Sequence, residues 1–200
     1  MILQILEYGD PILRAKGKPI ENIDDRIREL AAKMIETMHA ANGVGLAAQQ
    51  IGEALQLTVL DVSLVEDRPS NLKLDGKDVD PKAAMPLVLI NPEIELRGAT
   101  EVGVEGCLSF PEITGDIERA KSVIVHAQTL DGGTGTIEIE ASGFLARAIQ
   151  HEGDHLNGIL FIDRMNSAAK AALSSRLKRL QKDTRRGIRH REALVSETTL

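Results

Sequence analysis

The chain has 200 residues, of which 42% are hydrophobic and 27% charged, the balance of a single globular domain with a sizeable core. No apolar stretch approaches the roughly 18 residues of a membrane span, and the N-terminus lacks the segments of a secretory signal. The single cysteine, Cys107, excludes an intrachain disulfide and is a candidate ligand, nucleophile or core residue. We therefore expect a cytoplasmic protein without a membrane contact.

The first half of the chain contains one helix and one strand with clear patterns. Apolar residues follow the i, i+3, i+4 spacing over residues 22–43, and Asn42-Gly43 ends the predicted helix. Residues 55–63, LQLTVLDVS, predict a strand. Residues 65–85 are polar and rich in Asp, Lys and Pro, so we expect a surface loop or insertion there.

The second half begins with segments typical of strands. These segments cover residues 86–96, 117–132 and 135–143, with turns predicted at Asn91-Pro92 and at residues 131–133. Helical patterns precede and follow them. The sequence therefore predicts an α+β fold of mostly antiparallel strands, with an N-terminal helix before them, a helix late in the chain and a C-terminal helix.

Two helices are expected after the strands. Ser142 is a candidate cap for a helix that runs to about His155, where Asn157-Gly158 ends it. A last helix begins near Asn166, and its buried stripe consists of Leu173, Leu177 and Leu180.

Charge is distributed unevenly along the chain. The net charge is −6, but residues 176–191 hold eight Lys or Arg against a single acid, Asp183. An acidic body with a basic end indicates contact with a polyanion, and a solvated helix face is the alternative. We divide the chain into a main domain, residues 1–181, and a basic, flexible tail, residues 182–200.

The late helix carries the pattern HEGDH at residues 151–155. Residues four apart lie on one face of a helix, so His151 and His155 can reach the same ion. Glu152 can then contact a water on that ion without being a ligand. Two exposed histidines without a metal are the alternative.

A hydrolytic ion needs a third protein ligand. Cys107, within EGCLSFPE, offers a thiolate, which suits Zn²⁺ and Fe²⁺. An inert, buried cysteine is the alternative. The donors downstream of the histidines are poorly placed, because most lie in or beyond the basic tail: Asp163, His190, Glu192 and Glu197.

The segment GVGLAA, residues 43–48, loosely matches a dinucleotide-binding pattern. Its context is wrong, because a helix precedes it and a strand follows it, so we expect no nucleotide cofactor. The glycines instead allow the close approach of another backbone, such as a peptide. Gln50, just after this segment, can donate a hydrogen bond to a developing oxyanion.

Together, the segments GVGLAAQQ, EGCLSFPE and QHEGDH closely resemble those of the peptide deformylases. These enzymes are metal hydrolases that remove the formyl group from the initiator methionine of nascent chains. The resemblance runs from Ile5 to Arg164. It implies an α+β enzyme with mostly antiparallel sheets around a central helix that bears the HExxH pattern. The enzyme would act on formyl-methionyl nascent peptides, with one Fe²⁺ ion per chain, or Zn²⁺ or Ni²⁺ in its place.

The resemblance also implies roles for individual residues. Glu152 would be the general base and then the general acid. Gln50 and the backbone N–H of Leu108 would stabilise the oxyanion. The ion would be held by Cys107, His151 and His155.

Further residues are expected at the substrate. Phe144 and Ala148, with Val44, can line an apolar pocket for a methionine side chain. Arg147 either borders the entrance to this pocket or lies on the surface, and Glu105 is expected to pair with Arg119 and support the cysteine loop. The expected substrate-binding residues are Val44, Gly45, Glu105, Gly106, Phe144, Arg147 and Ala148.

Two other functions stay open. One is a zinc endopeptidase of a different lineage, and the other is a binding module with an altered deformylase-like site. The presence of Glu152 argues against the module. In a deformylase the basic tail would suit contact with ribosomal RNA near the emerging chain, because phosphate contacts need only clustered Lys and Arg.

Overall fold

One antiparallel sheet of seven strands dominates the part of the chain described by the computed structural model, residues 1–130 and 135–198, with side chains through His190 in the last helix. The strands lie in the order β1-β2-β5-β6-β7-β3-β4 across the sheet. Their bounds are β1 Gly45–Ala47, β2 Leu57–Leu60, β3 Ser70–Leu74, β4 Lys77–Val79, β5 Leu87–Gly106, β6 Thr114–Gln128 and β7 Ile137–Gly143.

The helices precede, interrupt and follow these strands. Their bounds are α1 Asp25–Ala40, α2 Pro81–Ala84, α3 Phe144–Leu156, α4 Phe161–Arg164, α5 Ser167–Ala172 and α6 Ser174–Thr198, with 3₁₀ turns at Pro11–Arg14 and Ala48–Ile51. The α+β prediction is confirmed by this arrangement. No helix in the described ranges combines the length and the apolar character that crossing a membrane requires.

The first helix shows how the sequence pattern becomes structure. The side chain of Asp24 accepts a hydrogen bond from the amide of Ile27 at 3.0 Å and so caps α1. One face of α1 buries Ile27, Ala31, Met34 and Met38 against β1 and β2. The helix predicted within residues 22–43 is therefore confirmed, with its ends three residues shorter.

The helix α3 is buried over almost its whole length. It contacts β1, β2, β6 and β7, so side chains on opposite sides of the helix pack into different parts of the core. Gly153 permits a close contact with β5, because a Cβ atom there would overlap the Cδ1 atom of Ile94. The predicted end of the helix at Asn157-Gly158 is confirmed.

The expected cap of α3 was wrong. The cap position is Gly143, and the hydroxyl of Ser142 instead accepts a hydrogen bond from Asn71. The first backbone amides of α3 donate instead to the start of β3 and to the residue before it. Pro69 O accepts from the amide of Phe144, and Ser70 Oγ accepts from the amide of Leu145.

The prediction of a loop or insertion over residues 65–85 was also wrong for most of that segment. It contains β3, β4 and α2, and β3 extends the sheet by pairing with β7. Asp75 and Gly76 form the tight connection between β3 and β4, both with positive φ. This is the geometry of a two-residue hairpin.

The turn predicted at Asn91-Pro92 is a bulge within β5. The pairing of β5 with β6 shifts register between Ile90 and Glu93, while the strand continues to Gly106. Asn91 has a φ of 51°, and its side chain accepts from the amide of Ile20 and donates to the carbonyl of the same residue. The turn predicted at residues 131–133 lies outside the described residues.

The single last helix that the sequence predicted begins near the expected residue but is divided at Leu173 into α5 and α6. Asn166 caps α5 by accepting from the amide of Ala169 at 2.8 Å. Leu177 is buried, and Leu173 and Leu180 are partly buried beside it. The predicted boundary between residues 181 and 182 falls inside α6, which is described as continuous to Thr198.

Candidate metal centre and its cavity

The helix α3 brings the two histidines together. His151 and His155 are buried one turn apart, with ring centroids 5.1 Å from each other. Position 161, where a zinc-peptidase pattern would place a third histidine, is Phe161 in α4, and its ring lies 6.1 Å from that of His151. The aromatic ring therefore closes one side of the pair.

Cys107 reaches the same point from the end of β5. Its Sγ lies 3.3 Å from His155 Nε2, and the ligand atoms of Cys107, His151 and His155 all lie within 4.8 Å of one another. The loop after Cys107 is held in two places, because Phe110 N donates to Cys107 O and Tyr8 N donates to Ser109 O, both at 2.9 Å. The cluster is thus built from rigid pieces of chain that are distant in sequence.

The donor atoms fit a divalent cation. Nδ1 of His151 lies 2.9 Å from Glu105 Oε2, which leaves Nε2 of His151 as the nitrogen for a ligand. Burial, followed by the positive charges of His151 and Arg119, lowers the pKa of His155 well below its ordinary value and keeps that imidazole neutral. One thiol and two imidazoles are ligands that Zn²⁺ and Fe²⁺ accept.

The pKa of His151 is shifted in the opposite direction to that of His155. Burial opposes a proton on His151, but hydrogen bonds to Cys107 and Glu105 outweigh it and raise the pKa of His151 well above its ordinary value.

A network of buried charges supports the histidine. Glu105 receives two hydrogen bonds of 2.9 Å from Arg119 and a third, also of 2.9 Å, from Arg147. Burial raises the pKa of Glu105, but hydrogen bonds from His151 and Arg119 outweigh it and lower this pKa to about 2. The expected pair of Glu105 and Arg119 is present, and it is part of a larger network.

Arg147 does not lie on the surface, which was one of the two positions expected for it. It is buried, and its guanidinium donates to the carbonyls of Glu101 and Ile117 as well as to Glu105. It therefore ties α3 to both β5 and β6, and it also lines the cavity described below.

Glu152 is buried beside the three candidate metal ligands. Burial raises its pKa to about 7, and its Oε2 has no hydrogen-bond partner among the described residues. A bound cation nearby would lower this pKa. Gly45 provides the space, because a Cβ atom there would overlap the carboxylate of Glu152.

The side chain of Gln50 is held beside the cysteine. Its Oε1 accepts from the amide of Ala47 at 2.9 Å, which directs Nε2 toward Ser109 Oγ at 3.2 Å and Cys107 Sγ at 3.6 Å. An amide hydrogen donor is therefore aimed at the space next to the sulfur.

A cavity of about 480 Å³ opens onto these groups. Cys107, His151 and Glu152 lie in its wall, together with Gln50 and Leu108. Each expected substrate-binding residue also lines it: Val44, Gly45, Glu105, Gly106, Phe144, Arg147 and Ala148.

Three residues near the site were missed from the sequence. Asp154 is buried and links Arg119 to Arg164, Ser109 accepts from Gln50, and Arg68 lines the cavity. Asp154 could have been suspected from its place inside HEGDH, because a charged residue between two buried histidines needs a partner. The positions of Ser109 and Arg68 depend on long-range packing.

The chain is similar to known proteins over most of its length. The sequence model of the family described as polypeptide deformylase matches residues 2–171. A peptide deformylase of Methylacidiphilum infernorum is 46% identical over 182 residues, which cover 91% of this chain and 94% of the relative. A peptide deformylase of Opitutus terrae is 45% identical over 187 residues, 92% of this chain and 96% of the relative.

Solved structures agree with these sequences. The crystal structure of peptide deformylase from Thermotoga maritima has a TM-score of 0.70 at 41% identity, covering 83% of this chain and 99% of that one. A Synechococcus elongatus peptide deformylase in complex with actinonin has a TM-score of 0.74 at 39% identity, covering 87% of each chain. The chain belongs to the polypeptide deformylase family, the metal-dependent hydrolases that remove the N-formyl group from nascent polypeptides.

Proposed function

We propose that Cys107, His151 and His155 hold one divalent cation at the central helix α3 and that this ion is Fe²⁺ in the cell. The convergence of a sulfur and two imidazole nitrogens within 4.8 Å carries the proposal. The donor set suits Zn²⁺ and Ni²⁺ as well, so the preference for Fe²⁺ rests on the resemblance of the sequence motifs. When bound, the ion acidifies a water and polarises the formyl oxygen.

Glu152 moves the proton in this scheme. Its carboxylate accepts a proton from the attacking water and returns it to the amide nitrogen as the C–N bond breaks, which releases formate and a free α-amino group. Its enclosed position beside His151 and its unpartnered oxygen among the described residues support this role.

Gln50 and the backbone N–H of Leu108 stabilise the oxyanion that forms at the formyl carbon. Gln50 is already oriented, because Ala47 holds its carbonyl oxygen and leaves Nε2 beside the sulfur. Donors that are fixed before the reaction lower the barrier without having to reorganise.

The cavity binds the formyl-methionine. Val44, Phe144 and Ala148 offer apolar surface for the side chain, and Gly45 and Gly106 lie in the wall beside them. Glu105 and Arg147 contribute by holding the wall, because their polar groups are engaged in the buried network.

The activity is tested with two peptides and a protein loaded with Fe²⁺ or Ni²⁺. One peptide carries formyl-methionine, and the other is unblocked and has internal scissile bonds. We expect release of formate from the first and no cleavage of the second. Cleavage of the unblocked peptide alone would favour an endopeptidase, and no turnover of either by a metal-loaded sample would favour a binding module.

The basic residues of α6 are proposed to contact ribosomal RNA while the enzyme acts in the cytoplasm on emerging chains. Arg185, Arg186 and Arg189 are exposed on this helix, and phosphate contacts need only clustered cations. Residues 182–200 would then act as a docking segment, separate in function from residues 1–181.

Exchanging Arg185, Arg186 and Arg189 for Gln should weaken ribosome binding at low salt without changing turnover of a free formyl-peptide. The control removes three exposed cations elsewhere, with Lys16, Arg26 and Lys77 exchanged for Gln. Equal binding by the two triple variants would refute the docking proposal.

A further inference from the structure

An arginine that the known chemistry does not use lies in the wall of the cavity. Arg68 is half-buried in the connection between β2 and β3, and its Cζ atom lies 4.0 Å from the centre of the Phe144 ring. The connection is fixed at this point, because Pro69 O accepts from the amide of Phe144. The guanidinium is therefore held over the aromatic face at the start of α3.

Arg68 differs from the other charged groups in the cavity wall. Arg147 and Glu105 are buried and form an ion pair with each other. Glu152 is buried beside the candidate metal ligands, and Glu112 is exposed. Among the described residues, Arg68 forms no ion pair and no hydrogen bond with a carboxylate. A planar guanidinium that stacks by its face keeps its N–H edge free for a carboxylate.

The distance from the reaction centre indicates which part of a substrate Arg68 can meet. Phe144 precedes His151 by seven residues, which corresponds to roughly 10 Å along the axis of α3. An extended peptide advances about 3.3 Å per residue. A peptide whose formyl group lies at the candidate metal ligands therefore has its second or third residue near Arg68.

We propose that Arg68 forms an anion subsite that binds the carboxylate of an Asp or Glu at the second or third position of the formyl-peptide. This inference rests on the proposed deformylation at the same cavity. The subsite also gives the segment from residue 65 onward a function, because β3 and the residues before it hold Arg68 over Phe144.

Matched peptides that differ only in charge test the subsite. The pairs are formyl-Met-Glu-Ser with formyl-Met-Gln-Ser and formyl-Met-Ala-Glu-Ser with formyl-Met-Ala-Gln-Ser. In at least one pair, we expect the wild type to prefer the acid to the amide by roughly fivefold in kcat/KM, the size of a partly exposed ion pair. The preference should shrink at high salt because mobile ions screen it.

The variant Arg68→Gln should lose the preference and Arg68→Glu should reverse it, while turnover of the amide peptides stays near wild type. Arg26→Gln, at an exposed position on α1, is the control and should keep the preference. An acid-to-amide ratio in Arg68→Gln equal to that of the wild type in both pairs would overturn the proposal, as would an equal loss for all four peptides.

Measurements of peptide binding distinguish failure of the Arg68 subsite from failure of the proposed deformylation. Dissociation constants for the same peptides, measured by calorimetry on Glu152→Gln and on Glu152→Gln combined with Arg68→Gln, do not require turnover. An acid preference that disappears with Arg68 supports the subsite even if deformylation is absent. Equal affinity for acid and amide peptides in the Glu152→Gln protein would contradict it.

Discussion

Glu105 is the carboxylate on which the buried charges of the site converge. It joins Arg119 of β6 to Arg147 and His151 of α3, so the ring orientation of one proposed ligand depends on a carboxylate that two arginines hold in place. A carboxylate behind a metal-binding histidine fixes which nitrogen faces the ion.

Replacing Glu105 with Gln should therefore affect both the metal and the fold. We expect metal affinity to fall about 10- to 100-fold, and the free energy of unfolding to fall by about 3 kcal/mol because two buried arginines lose their shared anion. Competition with a chelator and chemical denaturation measure the two effects. Glu101→Gln, at an exposed side chain of β5, should change neither, and a Glu105→Gln protein with wild-type metal affinity would refute the supporting role.

A comparison of Gln50 with its neighbour Gln49 separates an effect on the oxyanion from an effect on stability. Gln50→Ala should lower kcat about 100-fold, since one such donor contributes about 3 kcal/mol to the transition state. Gln49 points away and donates to Leu156 O, so Gln49→Ala should lower the melting temperature while kcat per folded molecule is kept. Steady-state kinetics with a formyl-Met peptide measure kcat, and equal losses of kcat in the two variants would contradict the assignment.

The sequence predicts the positions of some site residues better than those of others. His151, Glu152 and His155 lie close together in the chain, so helical geometry alone predicts that they share a site. Cys107 could be proposed by the chemistry of its thiol, but its approach to within 3.3 Å of His155 depends on the packing of β5 against α3. Arg68 gave no local signal, because its position is fixed by a hydrogen bond between distant backbone atoms.

At the scale of elements, the start of α3 depends on the first residue of β3 and on the residue before it. The amides of the first turn are satisfied by Pro69 O and Ser70 Oγ, and not by the preceding Ser142. The pairing of β3 with β7 thus supports the start of the helix that carries the histidines.

Ser70→Ala should lower the free energy of unfolding by about 1 kcal/mol, the usual loss when a hydroxyl cap is removed. Ser142→Ala should change it by less than about 0.5 kcal/mol, because its hydroxyl serves an exposed amide of Asn71. Urea denaturation of both variants measures the difference. A larger loss for Ser142→Ala than for Ser70→Ala would contradict this account of the helix start.

Composition misled the prediction for residues 65–85, although a local signal was present. Asp75-Gly76 is a hairpin dipeptide, and the strands on either side are short and largely polar because they lie at one end of the sheet. At Asn91-Pro92, by contrast, a turn was predicted where the strand continues through a bulge. The residues are typical of a turn, but the hydrogen bonds between Asn91 and Ile20 stabilise a bulge.

At the scale of the whole molecule, an ion pair joins two segments that are far apart in the chain. Arg14, near the N-terminus, bonds to Asp163 in α4. Burial raises the pKa of Asp163, but hydrogen bonds from Arg14 and from the amide of Leu160 outweigh it and lower the pKa below its ordinary value of 3.8.

A lowered carboxyl pKa gives the pair a defined pH dependence. Its stabilisation is complete above the ordinary pKa and is lost as the pH falls through the lower pKa of the folded state. Asp163→Asn should therefore destabilise the protein at neutral pH, and the difference from wild type should shrink in acid. Thermal unfolding across this range measures it. Asp116→Asn, at an exposed position, is the control, and a difference that grows toward acid pH would contradict the prediction.

The α+β class and the two terminal helices could be predicted because their patterns are local. The sheet order could not, because β7 pairs with β3 across more than 60 residues of intervening chain. The three motifs were recognisable together only through the resemblance to a family. Their convergence in space follows from the tertiary packing of β5, the turn at Ala48–Ile51 and α3.

The central claim is that a thiolate from mid-chain and two helical imidazoles hold one catalytic cation. Metal content and deformylation, measured together on the wild type, Cys107→Ala and Glu152→Ala, test it most directly. We predict one ion per chain with turnover in the wild type, loss of the ion in Cys107→Ala, and a retained ion without turnover in Glu152→Ala. A Cys107→Ala protein that keeps one tightly bound ion and deformylates at the wild-type rate would contradict the claim.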